Sequence, residues 1–260
     1  MHIHTPAHLL ICTLKTIALY YTKLKALKEE YKRWYSRNLS RHLDMLIFGD
    51  RGYPVILFPT SMGRYYQNKD FGLIESVRWF IEQGLVKIYC IDSIDEQSWY
   101  NKAIHPADRA RTHVAYDKML DQELAPWAMY ETGASKIAVA GCSFGGYHAA
   151  NFAFKHPDKV AHLFSMGGAF DIKQFTNGFY NDDIFYNNPP DFLPGSNQAN
   201  LWQMNIILGT AHDDFCKGEN IRLSNILKQK HINHWLDIRN GTHDWPVWRQ
   251  MFPHYLSTIK

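Results

Sequence analysis

Short apolar runs alternate with longer stretches of helical period along most of the chain. Strands are predicted at Leu43–Phe48, Val55–Phe58, Val86–Ile91, Lys136–Ala140, Ala161–Ser165, Asn205–Leu208 and His234–Arg239. Several are apolar throughout and end in Gly, Pro or Asp, as strands buried on both faces do. Helices are predicted at Phe71–Gln83, Pro106–Glu131, Gly146–Lys155, Glu219–Gln229 and Trp245–Tyr255. This alternation predicts an α/β fold, with a mainly parallel central sheet and helices on both faces. Leu43–Phe48 and Val55–Phe58, joined by Gly49-Asp50-Arg51-Gly52, read as an antiparallel hairpin at the sheet edge.

The rhythm breaks between Phe170 and Gln203, where Asn177-Gly178, Asn187-Asn188-Pro189-Pro190 and Pro194-Gly195 fall. Long loops inside compact domains are usually functional or disordered. Phe175, Phe179, Tyr180, Phe185, Tyr186 and Phe192 argue against disorder. The stretch reads either as a cap over a binding site or as a loop packed on the surface. At the other end, Leu9 to Tyr21 is apolar but interrupted by Lys15. It is too short and broken for a membrane span of about 20 residues. No Lys or Arg precedes it and no A-x-A-like site follows, so an amphipathic leading segment is expected over a signal peptide. The expected organisation is an extension over residues 1–30 and one domain over 31–260, with an aromatic-rich, cap-like loop at 170–203.

Composition narrows the partners. Of 260 residues, 46% are hydrophobic and 20% charged, which suits a globular chain and excludes a disordered one. The net charge is +3 with no long run of like charge, so no nucleic-acid partner is expected. Cys12, Cys90, Cys142 and Cys216 stand far apart without a C-x-x-C, which suggests neither a disulfide framework nor a zinc site. His2, His4 and His8 lack acidic or thiol partners, so no metal is expected there. Free thiols fit a reducing compartment, and a cytoplasmic location is expected, with secretion the lesser alternative.

The sharpest chemical signal is Gly141-Cys142-Ser143-Phe144-Gly145, followed by Gly146. It matches G-x-S-x-G, with a predicted strand before it and a predicted helix after it. In this nucleophile elbow the serine sits on a strained strand-to-helix turn, and the glycines remove side chains that would clash. The helix N-terminus favours developing negative charge. Cys142 is the rival nucleophile, but the motif gives the exposed place to its central residue.

A serine hydroxyl needs a base, and the base needs an orienting carboxylate. In α/β-hydrolases the order is Ser, then Asp or Glu, then His. His243 lies on a loop just past the last predicted strand, in Asn240-Gly241-Thr242-His243-Asp244-Trp245-Pro246. His231 and His234 lie before or within that strand, and His254 lies deep in the last helix. His243 is therefore the expected base. The carboxylate should follow the preceding strand, where Asp213 and Asp214 compete and spacing does not separate them. Asp244 reads as a cap.

Trp34-Tyr35-Ser36, Phe58-Pro59-Thr60-Ser61-Met62-Gly63-Arg64, Gly141-Cys142-Ser143-Phe144-Gly145-Gly146 and Thr242-His243-Asp244-Trp245-Pro246-Val247-Trp248 together resemble one family. It is the putative esterase family of α/β-hydrolases, which includes esterase-D-like S-formylglutathione hydrolases, feruloyl esterases and mycolyltransferase antigens. The likeness runs from about Tyr31 to Tyr255 and is strongest to an uncharacterised bacterial esterase branch. It implies an α/β-hydrolase fold. By resemblance the acid is Asp214, which stands two residues before Cys216 and six before Asn220. The oxyanion hole is expected at the N–H groups of Phe144 and Met62, with Ser61 or Gly63 as neighbours to Met62; Pro59 has no N–H to give.

The resulting expectation is a carboxylesterase-type serine hydrolase acting on small-molecule esters, and on thioesters by extension. Ser143, His243 and Asp214 carry an acyl-enzyme mechanism without cofactor or metal. An acyltransferase using the same acyl-enzyme is the alternative. A catalytically silent binding module on the same fold is a further one.

Overall fold

The structure, a computed structural model, describes residues 26–259. The apolar run Leu9 to Tyr21, Cys12 and the histidines His2, His4 and His8 lie outside the described residues. Among those described, eight strands form one sheet: β1 (Glu29–Ser36), β2 (Arg41–Phe48), β3 (Tyr53–Phe58), β4 (Val86–Ile91), β5 (Ile137–Cys142), β6 (Val160–Met166), β7 (Asn205–Asp213) and β8 (Trp235–Thr242). Their order is β1-β2-β4-β3-β5-β6-β7-β8. β2 runs antiparallel to both β1 and β4, and every other neighbouring pair is parallel. This is the α/β-hydrolase sheet.

The central strands are apolar throughout because both faces are covered. Val55 and Leu57 of β3 face one core; Ile56 and Phe58, pointing the other way, face the second. One core lies under the helices α1 (Pro106–Met119), α2 (Ala125–Thr132), α3 (Phe144–Lys155) and α4 (Lys217–Gln229); α5 (Trp245–Leu256) packs in the other. α1 starts at His105, whose Nδ1 accepts the N–H of Ala107, and Pro106 fills the first turn. It runs through a π-turn at Leu120–Leu124 into α2, which stops at Gly133 with φ +72°. Among the described residues no helix is long and apolar enough to cross a membrane.

Two expectations need correction. The hairpin does not form: β4 lies between β2 and β3, so the Gly49–Gly52 link crosses over it. β2 instead makes its hairpin with β1, an edge strand whose residues are mostly exposed and half of them charged. That polarity hides it from an apolar-run reading. The helix expected at Phe71–Gln83 is two short turns, Leu73–Ser76 and Arg78–Glu82, because Gly72 takes φ +74° and Val77 leaves helical geometry at φ −114°.

The excursion from Phe170 to Gln203 consists of short helical turns over a packed interior. Phe170, Ile172, Ile184, Phe192 and Leu193 are buried, and so are Asn187 and Asn188. Phe175 reaches Tyr100 and Phe144, with ring centroids at 4.8 and 5.5 Å.

Candidate active site

Every component of the site lies just beyond the carboxyl end of a parallel strand, where open α/β sheets place their crevices. Ser143 joins β5 to α3 with φ 56° and ψ −123°, a conformation that costs a non-glycine residue energy. The glycines around it are sterically required. A β-carbon on Gly141 would strike the Gly145 carbonyl, and one on Gly145 would strike the carbonyl of Pro59. Cys142 is fully buried, and burial pushes its thiol well above its ordinary range, so it is no thiolate nucleophile. Phe144 opens α3, and its N–H belongs to the first turn, which has no intrahelical acceptor.

The structure brings Ser143, His243 and Asp214 together. His243 follows β8; its Nε2 lies 2.8 Å from Ser143 Oγ and its Nδ1 lies 2.8 Å from Asp214 Oδ1. Asp214 Oδ1 also accepts the N–H of Cys216 at 2.7 Å, and Oδ2 accepts the Thr210 hydroxyl at 3.1 Å. Burial pushes this carboxyl up. The bonds from His243, Cys216 and Thr210 outweigh it and hold it below its ordinary value. A carboxylate that stays ionised fixes Nδ1 as the protonated nitrogen, which turns the Nε2 lone pair toward the serine proton. Phe215 lies over the imidazole at 4.1 Å and Trp248 meets it edge-on at 5.0 Å.

The competing residues are elsewhere. Asp213 is exposed at the end of β7, opposite Thr242. Asp244 caps α5 by accepting the N–H of Trp245 at 2.7 Å. His234 is bonded to Ser224, His254 to Arg239, and His231 sits at the end of α4 with φ 54°. Asp214, Cys216 and His243 each bring one potential ligand atom within 4.8 Å of the others. Burial pushes the Cys216 thiol up to about 12, and the other two are already bonded to each other, so this is a hydrogen-bonded set rather than a metal-ready one.

The loop expected to supply the second oxyanion donor is a tight turn, closed by Gly63 N–H donating to Thr60 O at 2.9 Å. Met62 takes φ 58° at its third position, as a type II turn requires. The Met62 N–H points inward and donates to Asp95 Oδ2 at 2.9 Å. Asp95 Oδ1 meets His148 Nε2 at 2.9 Å, and both side chains are almost wholly excluded from solvent. The same strand-end segment holds the loop twice more. Ser93 Oγ donates to the Gly63 carbonyl, and Asp92 accepts the Tyr65 N–H and the Nε and Nη2 of Arg64.

Sequence reading missed Asp92, Ser93, Asp95, His148, Thr210 and Gly167. A signal existed for the first three, since Asp92-Ser93-Ile94-Asp95 follows directly on β4 at the site end of the sheet. The bond of His148 to Asp95 and the closeness of Gly167 to Asp214 and His243 are long-range and leave no local pattern, and the Thr210 bond to Asp214, four residues on, follows only from the turn after β7.

Comparison with known proteins agrees with this architecture. The chain matches a ferulic acid esterase structure at 15% identity and TM-score 0.71, covering 88% of this chain and 96% of that one. It matches the S-formylglutathione hydrolase FrmB of Staphylococcus aureus at 16% identity and TM-score 0.68, covering 90% and 97%. MPT51 of Mycobacterium tuberculosis matches at 16% identity and TM-score 0.68, covering 90% and 98%. These likenesses concern the fold. Among curated proteins, a 1-acylglycerol-3-phosphate O-acyltransferase of Arabidopsis thaliana is 26% identical over 144 residues, which is 53% of this chain. That match spans only 31% of the plant protein's length. The family model described as "Putative esterase" matches residues 51–259, and the chain belongs to that family of α/β-hydrolase-fold enzymes.

Proposed function

We propose that this esterase-family enzyme is a carboxylesterase-type serine hydrolase acting through a covalent acyl-enzyme, with Ser143 as nucleophile, His243 as base and Asp214 as the orienting acid. The observation that carries the reading is the unbroken row from Ser143 Oγ through both nitrogens of His243 to Asp214, with both links at 2.8 Å. His243 takes the serine proton as Oγ attacks an ester carbonyl. The charge that develops on the carbonyl oxygen faces the Phe144 N–H at the start of α3. His243 then protonates the leaving alcohol, and in the second half it activates water to release the acid. Asp214 stabilises the imidazolium throughout. The Met62 N–H, while given to Asp95, serves an oxyanion only after the Ser61–Met62 peptide turns over. Thioesters follow the same steps with a thiol leaving group.

The test is hydrolysis of p-nitrophenyl acetate and butyrate by the wild type and by Ser143→Ala. Loss of turnover by at least about 10⁴-fold in the variant supports the assignment. Equal rates sink it. An acyl-transferase reading shares the acyl-enzyme and is favoured by the name of the plant relative. Adding glycerol during turnover separates the two: the transferase yields acylglycerol at the expense of free acid, whereas the hydrolase yields free acid.

A further inference from the structure

We propose that the second oxyanion donor is the hydroxyl of Ser61, oriented by Tyr100. This rests on the reading that Ser143 attacks a carbonyl. The Thr60–Gly63 turn lies close to the elbow, because the carbonyl of Pro59 fills the space above Gly145. Its backbone donors are largely committed. Thr60 N–H goes to Gln67 Oε1, Met62 N–H to Asp95, and Gly63 N–H to Thr60 O. Pro59 has none to give. Ser61 is the residue of this turn that keeps donors to offer, its N–H and its hydroxyl, and the hydroxyl is the one that a neighbouring side chain orients.

Its hydroxyl is placed by the phenol of Tyr100, which donates to Ser61 Oγ at 2.9 Å. With a lone pair so engaged, the Ser61 proton is directed away from Tyr100. The Tyr100 ring in turn packs edge-on against Phe144 at 5.5 Å. Tyr100 therefore stands between the proposed donor and the residue whose N–H supplies the first one. Burial pushes the Tyr100 phenol above its ordinary range, so it remains a donor at neutral pH.

Releasing Met62 for this task would be costly. Its N–H satisfies a buried carboxylate whose other oxygen holds His148, and His148 lies on α3 one turn beyond Phe144. Removing a donor from a buried carboxylate leaves charge without compensation. Asp95 and His148 are thus positioning residues that tie the turn to the nucleophile helix. Serine side chains are competent oxyanion donors. In the step itself the carbonyl π pair moves to oxygen as the Ser143 Oγ–C bond forms, and Ser61 donates a hydrogen bond without losing its proton. Collapse restores the carbonyl and expels the leaving group, protonated by His243.

The experiment compares Ser61→Ala, Ser61→Thr and Tyr100→Phe with the wild type on p-nitrophenyl butyrate, together with inhibition by a trifluoromethyl ketone that forms a tetrahedral adduct. Ser61→Ala is expected to lose about 10–1,000-fold in kcat with KM within about threefold, and to weaken the ketone by a similar factor. Ser61→Thr restores most of the rate, and Tyr100→Phe falls between. Matching thermal melts and continued fluorophosphonate labelling of Ser143 show that fold and nucleophile are intact. A Ser61→Ala kcat within twofold of the wild type overturns the inference while leaving the Ser143 assignment standing. A wild type that neither turns over nor labels at Ser143 removes both.

Discussion

Asp213 and Asp214 are adjacent in the chain and face opposite ways. Asp213 ends β7 in solvent beside Thr242, whereas Asp214 turns inward and accepts His243 Nδ1 at 2.8 Å. Asp214→Asn keeps the shape but offers an amide where the imidazolium needs a charge, and it permits the wrong tautomer. The expected loss in kcat is about 10²–10⁴-fold. Asp213→Asn is expected to stay within about twofold. Steady-state kinetics of the two variants on one p-nitrophenyl ester decides the matter, and the reverse ranking would refute the assignment of the acid.

The sheet, Ser143 and His243 could be picked out in the chain because their signals are local. A buried parallel strand is an apolar run, and the elbow is five consecutive residues. The Asp213–Asp214 choice was not local. It depends on which way the backbone turns after β7, which the resemblance supplied and spacing did not. β1 escaped because an edge strand need not be apolar. The Asp95–Met62 bond escaped because it joins residues 33 apart through a buried carboxylate. Gly167 escaped for the same reason, as nothing near it in sequence tells what it makes room for.

Gly167 gives the next prediction. It takes φ +62°, and a β-carbon there would stand 2.9 Å from Asp214 Oδ2 and 3.0 Å from His243 Nδ1. Gly167→Ala should therefore push Asp214 and His243 apart as well as strain the backbone. Gly133→Ala is the control, with φ +72° and open space around the added carbon. Both should lose about 1–2 kcal/mol of stability from the left-handed conformation. Only Gly167→Ala should also lose kcat, by tenfold or more. Equal kcat in the two variants would mean that the site tolerates the intrusion.

His162 sets an acid-side dependence of stability. It lies on β6, and burial pushes its imidazole down to about 4. Its Nδ1 accepts the Asn205 amide at 3.2 Å, which only the neutral ring can do. The unfolded value is about 6.5. The fold therefore favours the neutral form. The contribution is complete above about pH 6.5 and is lost as the pH falls toward 4. His162→Gln should be less stable than the wild type at pH 7.5, and that deficit should shrink between pH 6.5 and 4. Thermal melts across the range test this, and a deficit independent of pH would contradict it.

The excursion at 170–203 is fastened to the nucleophile helix through Asn187. Its carbonyl accepts the Tyr147 hydroxyl at 2.8 Å, and its Oδ1 accepts Asn151 Nδ2 at 3.1 Å and Lys155 Nζ at 3.0 Å. Tyr147, Asn151 and Lys155 are spaced by four, so they form one row along α3. Asn187 Nδ2 closes the set on the Asp183 carbonyl at 2.7 Å. Asn187→Leu has similar volume and removes the Oδ1 shared by Asn151 and Lys155, which leaves them His113 Nε2 and Asp117 as their remaining partners. Each lost hydrogen bond costs about 0.5–1.5 kcal/mol, and one from a charged donor such as Lys155 about 1.5–3 kcal/mol. A loss of about 2 kcal/mol lowers the melting temperature by about 4–8 °C in a chain of this size. The excursion should also become the first site of proteolytic cleavage, ahead of global unfolding. Phe175, held against Phe144 and Tyr100 at its near end, should then carry the effect into turnover as a rise in KM. A variant that melts and resists protease like the wild type would show that apolar packing alone holds the excursion in place.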